Sequence, residues 1–330
     1  MKSCGTKIAV SYALMIALIL FVSCQSPISE SRFLRSLNAN SWLEAFEAID
    51  QRINGGHGYA NHLDTLGYLS WRQSRIFESY LNIYEATQDL SWLEKFVQQA
   101  DLILSHRDDH LWGGAPAWSS LKYLKTGWNK PEPLLVNNAM IIYPLARFDA
   151  LVLNKVTLSA FHNVALWYMS NVSETVDYFQ QWYIVDEEAG YYLIQDAEFV
   201  NHPGINAPFN WNAAMGRVLL ALYDATGRVA YLKQARALAQ TLKAGLNVMD
   251  NDSYCWHYWF GEGYERYKST EDVSHGALDV QFALACHEHG IVFDAQDIHR
   301  FANTLKKNVW DGQEFTSSVW GTGKINPSIA

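Results

Sequence analysis

Ser74-Arg75-Ile76-Phe77-Glu78-Ser79-Tyr80-Leu81-Asn82-Ile83-Tyr84-Glu85-Ala86-Thr87-Gln88-Asp89, with the Trp92 to Leu104 run behind it, is the stretch whose reading decides the fold. Ile76, Tyr80, Leu81 and Tyr84 recur at helical spacing, and so do Leu93, Phe96, Val97 and Leu102. Apolar residues at that period mark amphipathic helices, and Thr87-Gln88-Asp89 leaves room only for a tight turn between them. The stretch is therefore a helical hairpin. Its ending, Tyr84-Glu85-Ala86-Thr87, returns as Tyr223-Asp224-Ala225-Thr226, and Trp92-Leu93 returns as Tyr231-Leu232 ahead of a helix that ends near Leu246. A third hairpin runs from His275 through His289-Gly290 to Ile298, Phe301 and Leu305, and a weaker one spans Asn137 to Leu153 and Leu158 to Tyr178. Helical hairpins repeated along a chain bury their faces against one another, so an all-α toroid or incomplete barrel is expected.

Outward from the hairpins, Ser41 to Ile53 reads as an opening amphipathic helix carrying Trp42, Phe46 and Ile49. Three long aromatic connections, Trp112 to Trp128, Trp182 to Phe209 and Tyr254 to Tyr267, each lead into the first helix of a hairpin. Loops of this length in a compact domain usually carry function, and this connectivity gathers them with the helix starts on one rim. Trp71, Arg72, Gln73 and Arg75 fall there, with Asn137 and Asn138, then Asn210, Trp211 and Asn212, and finally Glu271, Asp272 and His275. In Glu271-Asp272-Val273-Ser274-His275-Gly276 an acidic residue caps a helix, whose free first-turn N–H groups favour an anion. The corner suits a carboxylate-bearing substrate. Thirteen Trp and eighteen Tyr among 330 residues suit the flat faces of sugar rings. Trp112, Trp118, Trp128, Trp256 and Trp259 are candidate stacking platforms.

Net charge is −9 with no basic block, which argues against a nucleic-acid partner. Cys4, Cys24, Cys255 and Cys286 make no disulfide framework, although the last two could bridge. Lys2 and Lys7 precede an apolar run from Ile8 to Val22 that is short for a membrane span. Its ending, Phe21-Val22-Ser23-Cys24, resembles the lipobox of bacterial lipoproteins. That resemblance implies a signal peptide over 1–23, a lipid anchor on Cys24, a polar tether over 24–40 and a folded body over 41–330. A monomer in the bacterial cell envelope, touching the membrane through its anchor alone, is the corresponding expectation.

The body from about residue 40 to 312 resembles the α/α-toroid carbohydrate-active proteins, especially polysaccharide lyases acting on uronic acid polymers such as alginate or glucuronan. It is also similar to the C-terminal domain of glucuronyl C5-epimerases. Tyr84-Glu85-Ala86-Thr87, Asn137-Asn138-Ala139-Met140, Phe209-Asn210-Trp211-Asn212 and Glu271 to Gly276 carry the resemblance. It implies an Asn and a His that neutralise a substrate carboxylate, roles that fall on Asn212 and His275, and a Tyr that moves protons, drawn here from Tyr258 or Tyr264. It also implies an Arg and a Tyr after the last hairpin, where Phe315-Thr316-Ser317-Ser318-Val319-Trp320 supplies neither.

The expected reaction is β-elimination on an acidic polysaccharide, with donors preset for the charge that develops on the carboxylate and no metal or cofactor required. Asn138, Arg72, Arg75, Trp71, Trp211, Trp256, Trp259, Glu271 and Asp272 are the expected substrate contacts. Two other classes stay open. One is glycoside hydrolysis with Glu271 or Asp272 opposite Asp64 or Glu78. The other is a non-catalytic glycan-binding lipoprotein. His106-Arg107-Asp108-Asp109-His110 reads as a solvated charged loop, and His287-Glu288-His289 as a helix ending.

Overall fold

The computed structural model describes residues 41–323 apart from 311 and 313. Cys4, Cys24, the apolar run before it and the tether lie outside the described residues. Helix α1 (Trp42–Arg52) precedes four hairpins. They are α2 (Ser74–Thr87) with α3 (Ser91–Ser105), α4 (Leu135–Leu153) with α5 (His162–Phe179), α6 (Phe209–Thr226) with α7 (Val229–Ala244), and α8 (Val273–Glu288) with α9 (Ala295–Asn303). The first helices pack in the order α2, α4, α6, α8, and each second helix backs its partner from outside. The result is an all-α toroid of helical hairpins. Helices α4 and α6, in the middle of this row, are buried almost all round, as a helix covered on every side requires. The inner helices approach closely: a Cβ on Gly216 of α6 would stand 2.4 Å from the Phe282 ring of α8.

The sequence echo is one hydrogen-bonding device used twice. Thr87 Oγ1 donates to Ile83 O (2.8 Å) and accepts from Asp89 N (3.2 Å), while Thr226 Oγ1 donates to Leu222 O (2.6 Å) and accepts from Arg228 N (3.2 Å). In both copies the next residue turns left-handed, Gln88 at φ 59° and Gly227 at φ 68°, and returns its N–H to the tyrosine carbonyl at 2.7 Å. That satisfies carbonyls a helix end would leave orphaned and sends the chain back along its partner.

Three two-stranded antiparallel ribbons stiffen the connections: β1 (Ser119–Ser120) with β2 (Glu132–Pro133), β3 (Tyr183–Asp186) with β4 (Ala189–Tyr192), and β5 (Asn247–Val248) with β6 (Tyr254–Cys255). Two expectations change. Cys255 and Cys286 are separate buried thiols rather than a bridge. The segment around Arg107 is an ionic hub rather than a solvated loop: Arg107 is buried and holds Asp109 (2.8 Å), Glu174 (2.5 Å) and Asn171 O (2.9 Å). The ending His287-Glu288-His289 keeps its structural role, with His289 Nε2 donating to Asp224 (2.8 Å) and Nδ1 donating to Ala285 O (2.7 Å).

Asp149 of α4 is fully buried with no partner for either carboxylate oxygen, and burial raises its pKa well above the ordinary value. A group whose folded pKa is raised binds its proton more tightly in the fold, so its contribution to stability falls as pH rises above the unfolded pKa. Asp149→Asn is therefore expected to stabilise the protein at pH 7 by about 1–2 kcal/mol, with the gain shrinking towards pH 4. Melting curves at the two pH values check this. A gain independent of pH would mean that ionisation is not its origin.

Candidate active site

The loops and helix starts form one rim, and its geometry follows a simple count. Trp71 is the third residue of a π-helical turn, Leu69–Gln73, that leads into α2; Asn137, Trp211 and His275 are the third residues of α4, α6 and α8. Trp71, Trp211 and His275 line one cleft of about 360 Å³, with Tyr123, His202, Asn210, Tyr258 and Trp259 around them. Asn137 stands behind, its Oδ1 accepting from Trp71 Nε1 at 3.1 Å. Asp64 braces the Trp71 turn by accepting from Leu69 N and Ser70 N, both at 2.8 Å.

At the α8 start, Asp272 is the cap. Its Oδ1 accepts from Ser274 N (2.8 Å), His275 N (3.0 Å) and Ser274 Oγ (2.6 Å), and its Oδ2 faces His275 Nδ1. Burial alone would raise the Asp272 pKa, but the hydrogen bonds from His275 and Ser274 and the His275 charge outweigh it and hold the carboxyl ionised, well below the ordinary range. With Oδ2 accepting from it, Nδ1 carries a proton, and Nε2 is left as the ring atom for the cleft. Glu271, Asp272 and His275 offer ligand-type atoms within 4.8 Å of one another. However, Oδ1 already serves three donors, Nδ1 is turned to Oδ2, and the positive end of α8 opposes a cation. The cluster is thus a capped helix start carrying an oriented imidazole.

Tyr258 packs 5.2 Å from the His275 ring, and burial together with Glu271 raises its phenol above the ordinary range. Tyr123, on the Trp71 side, is pushed up to about 12 by burial and by the charges of Asp64 and Asp272. Asp64 itself is pushed up to about 7 by burial, against the opposing hydrogen bonds from Ser70 and Leu69, and its Oδ2 is buried without a partner. The two carboxyls that act on Tyr123 thus sit in different places: Asp272 is ionised beside His275, whereas Asp64 is buried behind the Trp71 turn, 2% exposed, and does not line the cleft.

The structure redistributes several expected contacts. Asn212 is 3% exposed and closes the preceding loop: Oδ1 accepts from Tyr192 N (2.8 Å), and Nδ2 donates to Ala207 O (2.8 Å) and Pro208 O (3.0 Å). Asn138 repeats the device with Trp118 N (2.8 Å), Trp118 O (3.1 Å) and Leu134 O (2.9 Å). Neither amide reaches the cleft. Glu271 is fully buried beside Asp279, and burial followed by the Asp279 charge raises its pKa well above the ordinary value. Trp256 is core, its Nε1 donating to Asp279 at 2.9 Å. Tyr264 lies against His257 rather than in the cleft. Arg72 stacks on Tyr59 and Tyr68, and Arg75 bonds Glu78 at 2.9 Å. Glu78 is buried; burial would raise its pKa, but Arg217 and Arg75 outweigh that and keep it ionised, so it is no proton donor. Trp118 is core, Trp128 packs on Phe199 and Trp112 is exposed, and none of the three lines the cleft. Tyr123 and His202 do line it, with no motif to announce them, and so does Asn210 of the expected rim.

No family model matches the sequence, and no curated protein sequence matches it. Similar solved structures include a GH76 α-mannanase from Bacteroides thetaiotaomicron, with a TM-score of 0.52 and 16% identity over 79% of this chain and 62% of that one. A D-mannose isomerase gives a TM-score of 0.49 and 14% identity over 77% and 63% of the two chains. A glycoside hydrolase family 76 mannosidase from Bacteroides thetaiotaomicron gives 0.46 and 12% over 77% and 64%. The chain thus spans less than two thirds of the length of each. The likeness to the α-mannanase is one of fold: this chain is built on an α/α toroid.

Proposed function

We propose that the protein is a carbohydrate-active enzyme that seats a glycan in the rim cleft and breaks a glycosidic bond there. The observation that carries this reading is the meeting, in one hollow, of the Trp71, Trp211 and Trp259 indoles with the Asp272-oriented His275. Indole faces cover the C–H surface of sugar rings, and an imidazole with a free lone pair moves a proton.

Hydrolysis is the first reading. It is supported by the fold shared with the α-mannanase and by the ionised Asp272 that orients His275 at the cleft, since hydrolysis needs a positioned base to draw a proton from water. His275, turned by Asp272, draws a proton from the attacking water, while the phenol of Tyr123 in the cleft wall protonates the departing oxygen. β-Elimination on a uronate is the second reading, and the packing of Tyr258 on His275 supports it. There His275 takes the C5 proton, the C–H electrons form the C4=C5 bond, and O4 leaves with a proton from Tyr258.

Incubation with a panel of neutral and acidic polysaccharides, followed by ultraviolet absorbance and reducing ends together, tests the proposal. Hydrolysis raises reducing ends alone, and elimination raises both signals. Under hydrolysis, Tyr123→Phe is expected to lower turnover by roughly a hundredfold, the scale for loss of a general acid. Silence of both signals across the panel, with a glycan still retained by the protein, would make it a binding module instead.

A further inference from the structure

Lys122 stands at the wall of the cleft, and no carboxylate pairs with it among the described residues. Its ammonium lies 5.7 Å from the Trp71 ring centroid and 5.3 Å from that of Tyr123, two side chains that line the cleft. The stem is held in place: a Cβ on Gly67, which sits at φ 75°, would meet Lys122 Cδ at 2.7 Å. Burial lowers the Lys122 pKa, with Asp64 opposing and Arg72 adding to the effect, so the ammonium is partly stripped of water. A cation held over two aromatic faces, short of hydration and without a counter-ion, gains most from an anion brought by a ligand. A second, independent feature points to a ligand in the same hollow. Asn210 lines the cleft at 1% exposure, and its Oδ1 is buried with no donor. A buried amide oxygen left unpaired is costly, and a sugar hydroxyl is the donor it lacks.

We propose that the cleft selects a glycan bearing an acidic group, carboxylate or sulfate, with Lys122 receiving the anion and Asn210 receiving a ring hydroxyl. This rests on the glycan reading of the site and adds to it the class of sugar. Lys122 and Asn210 are specificity residues here; neither is assigned a proton transfer.

The test is titration of the full chain with three tetrasaccharides, one carboxylated, one sulfated and one neutral, followed by tryptophan fluorescence at low and high salt. Wild type is expected to bind an acidic tetrasaccharide about tenfold more tightly than the neutral one at low salt, the scale of one charge-assisted contact. The preference should narrow as salt rises. Which acidic ligand binds more tightly separates carboxylate from sulfate. Lys122→Met, which keeps the stem over Gly67, should bring acidic binding down to the neutral level, and Lys122→Arg should retain most of the preference. Asn210→Ala should weaken all three ligands alike. Equal binding of neutral and acidic ligands by wild type, or a preference that survives Lys122→Met with an unchanged melting temperature, would overturn the inference and leave the glycan reading standing. Failure of all three to bind would overturn both.

Discussion

His275→Ala is expected to lower turnover by a factor on the order of a hundred or more, the scale for removing a positioned general acid or base. In both bond-breaking readings the imidazole is the group that touches the moving proton, and Asp272 acts through it. Stability should change little. The His275 side chain is about a third exposed (32%), and the Asp272 cap keeps its bonds to Ser274 N, to Ser274 Oγ and to the backbone N–H at position 275. A surface substitution of that kind normally stays within about 0.5 kcal/mol. Turnover and melting temperature measured on one preparation check both statements. A variant with near-normal turnover per folded molecule would take His275 out of the chemistry.

Asn212→Ala should do the reverse. It strands the Tyr192 N–H and removes the side-chain donor to the Ala207 carbonyl in a buried site, while Pro208 O keeps the backbone N–H groups of 211 and 212, and each lost partner counts because water cannot replace it. The expected loss is about 2–4 kcal/mol, with turnover per folded molecule close to wild type. Asn138→Ala, which removes the same device one hairpin earlier, should cost a similar amount. Urea unfolding of each variant, paired with turnover at a concentration where it stays folded, reads both quantities. A stable Asn212→Ala without activity would return Asn212 to the substrate carboxylate, where the family resemblance puts it.

The contrast between these residues shows how far the sequence could be read. Hairpins are legible because helical periodicity and the Thr87 and Thr226 endings are local properties, written into neighbouring residues. The rim is legible too, since long loops that lead into successive helices must share a side. Which face of each helix start looks inward is another matter. Adjacent helical residues point about 100° apart, so Trp211 lines the cleft while Asn212 is turned into the loop behind it. Trp71 and Arg72 divide in the same way, the first to the cleft and the second to Tyr59 and Tyr68. An error of one residue in a helix start exchanges such neighbours, and periodicity does not fix starts that finely. Tyr123 and Lys122 lay beyond reach for a different reason: the fold alone brings their loop up to the rim that holds Asn210. Glu271 misled because a carboxylate beside Asp272 looks like a site, whereas it is fully buried beside Asp279 in the core.

A glycan is expected to lie in the rim cleft lined by Trp71, Trp211 and His275. The most direct measurement is a crystal structure of His275→Ala with an oligosaccharide bound. Sugar rings lying against Trp71, Trp211 and Trp259, with one unit beside Tyr258 and Tyr123, are the predicted result; a glycan bound elsewhere on the toroid, with this cleft empty, would contradict it.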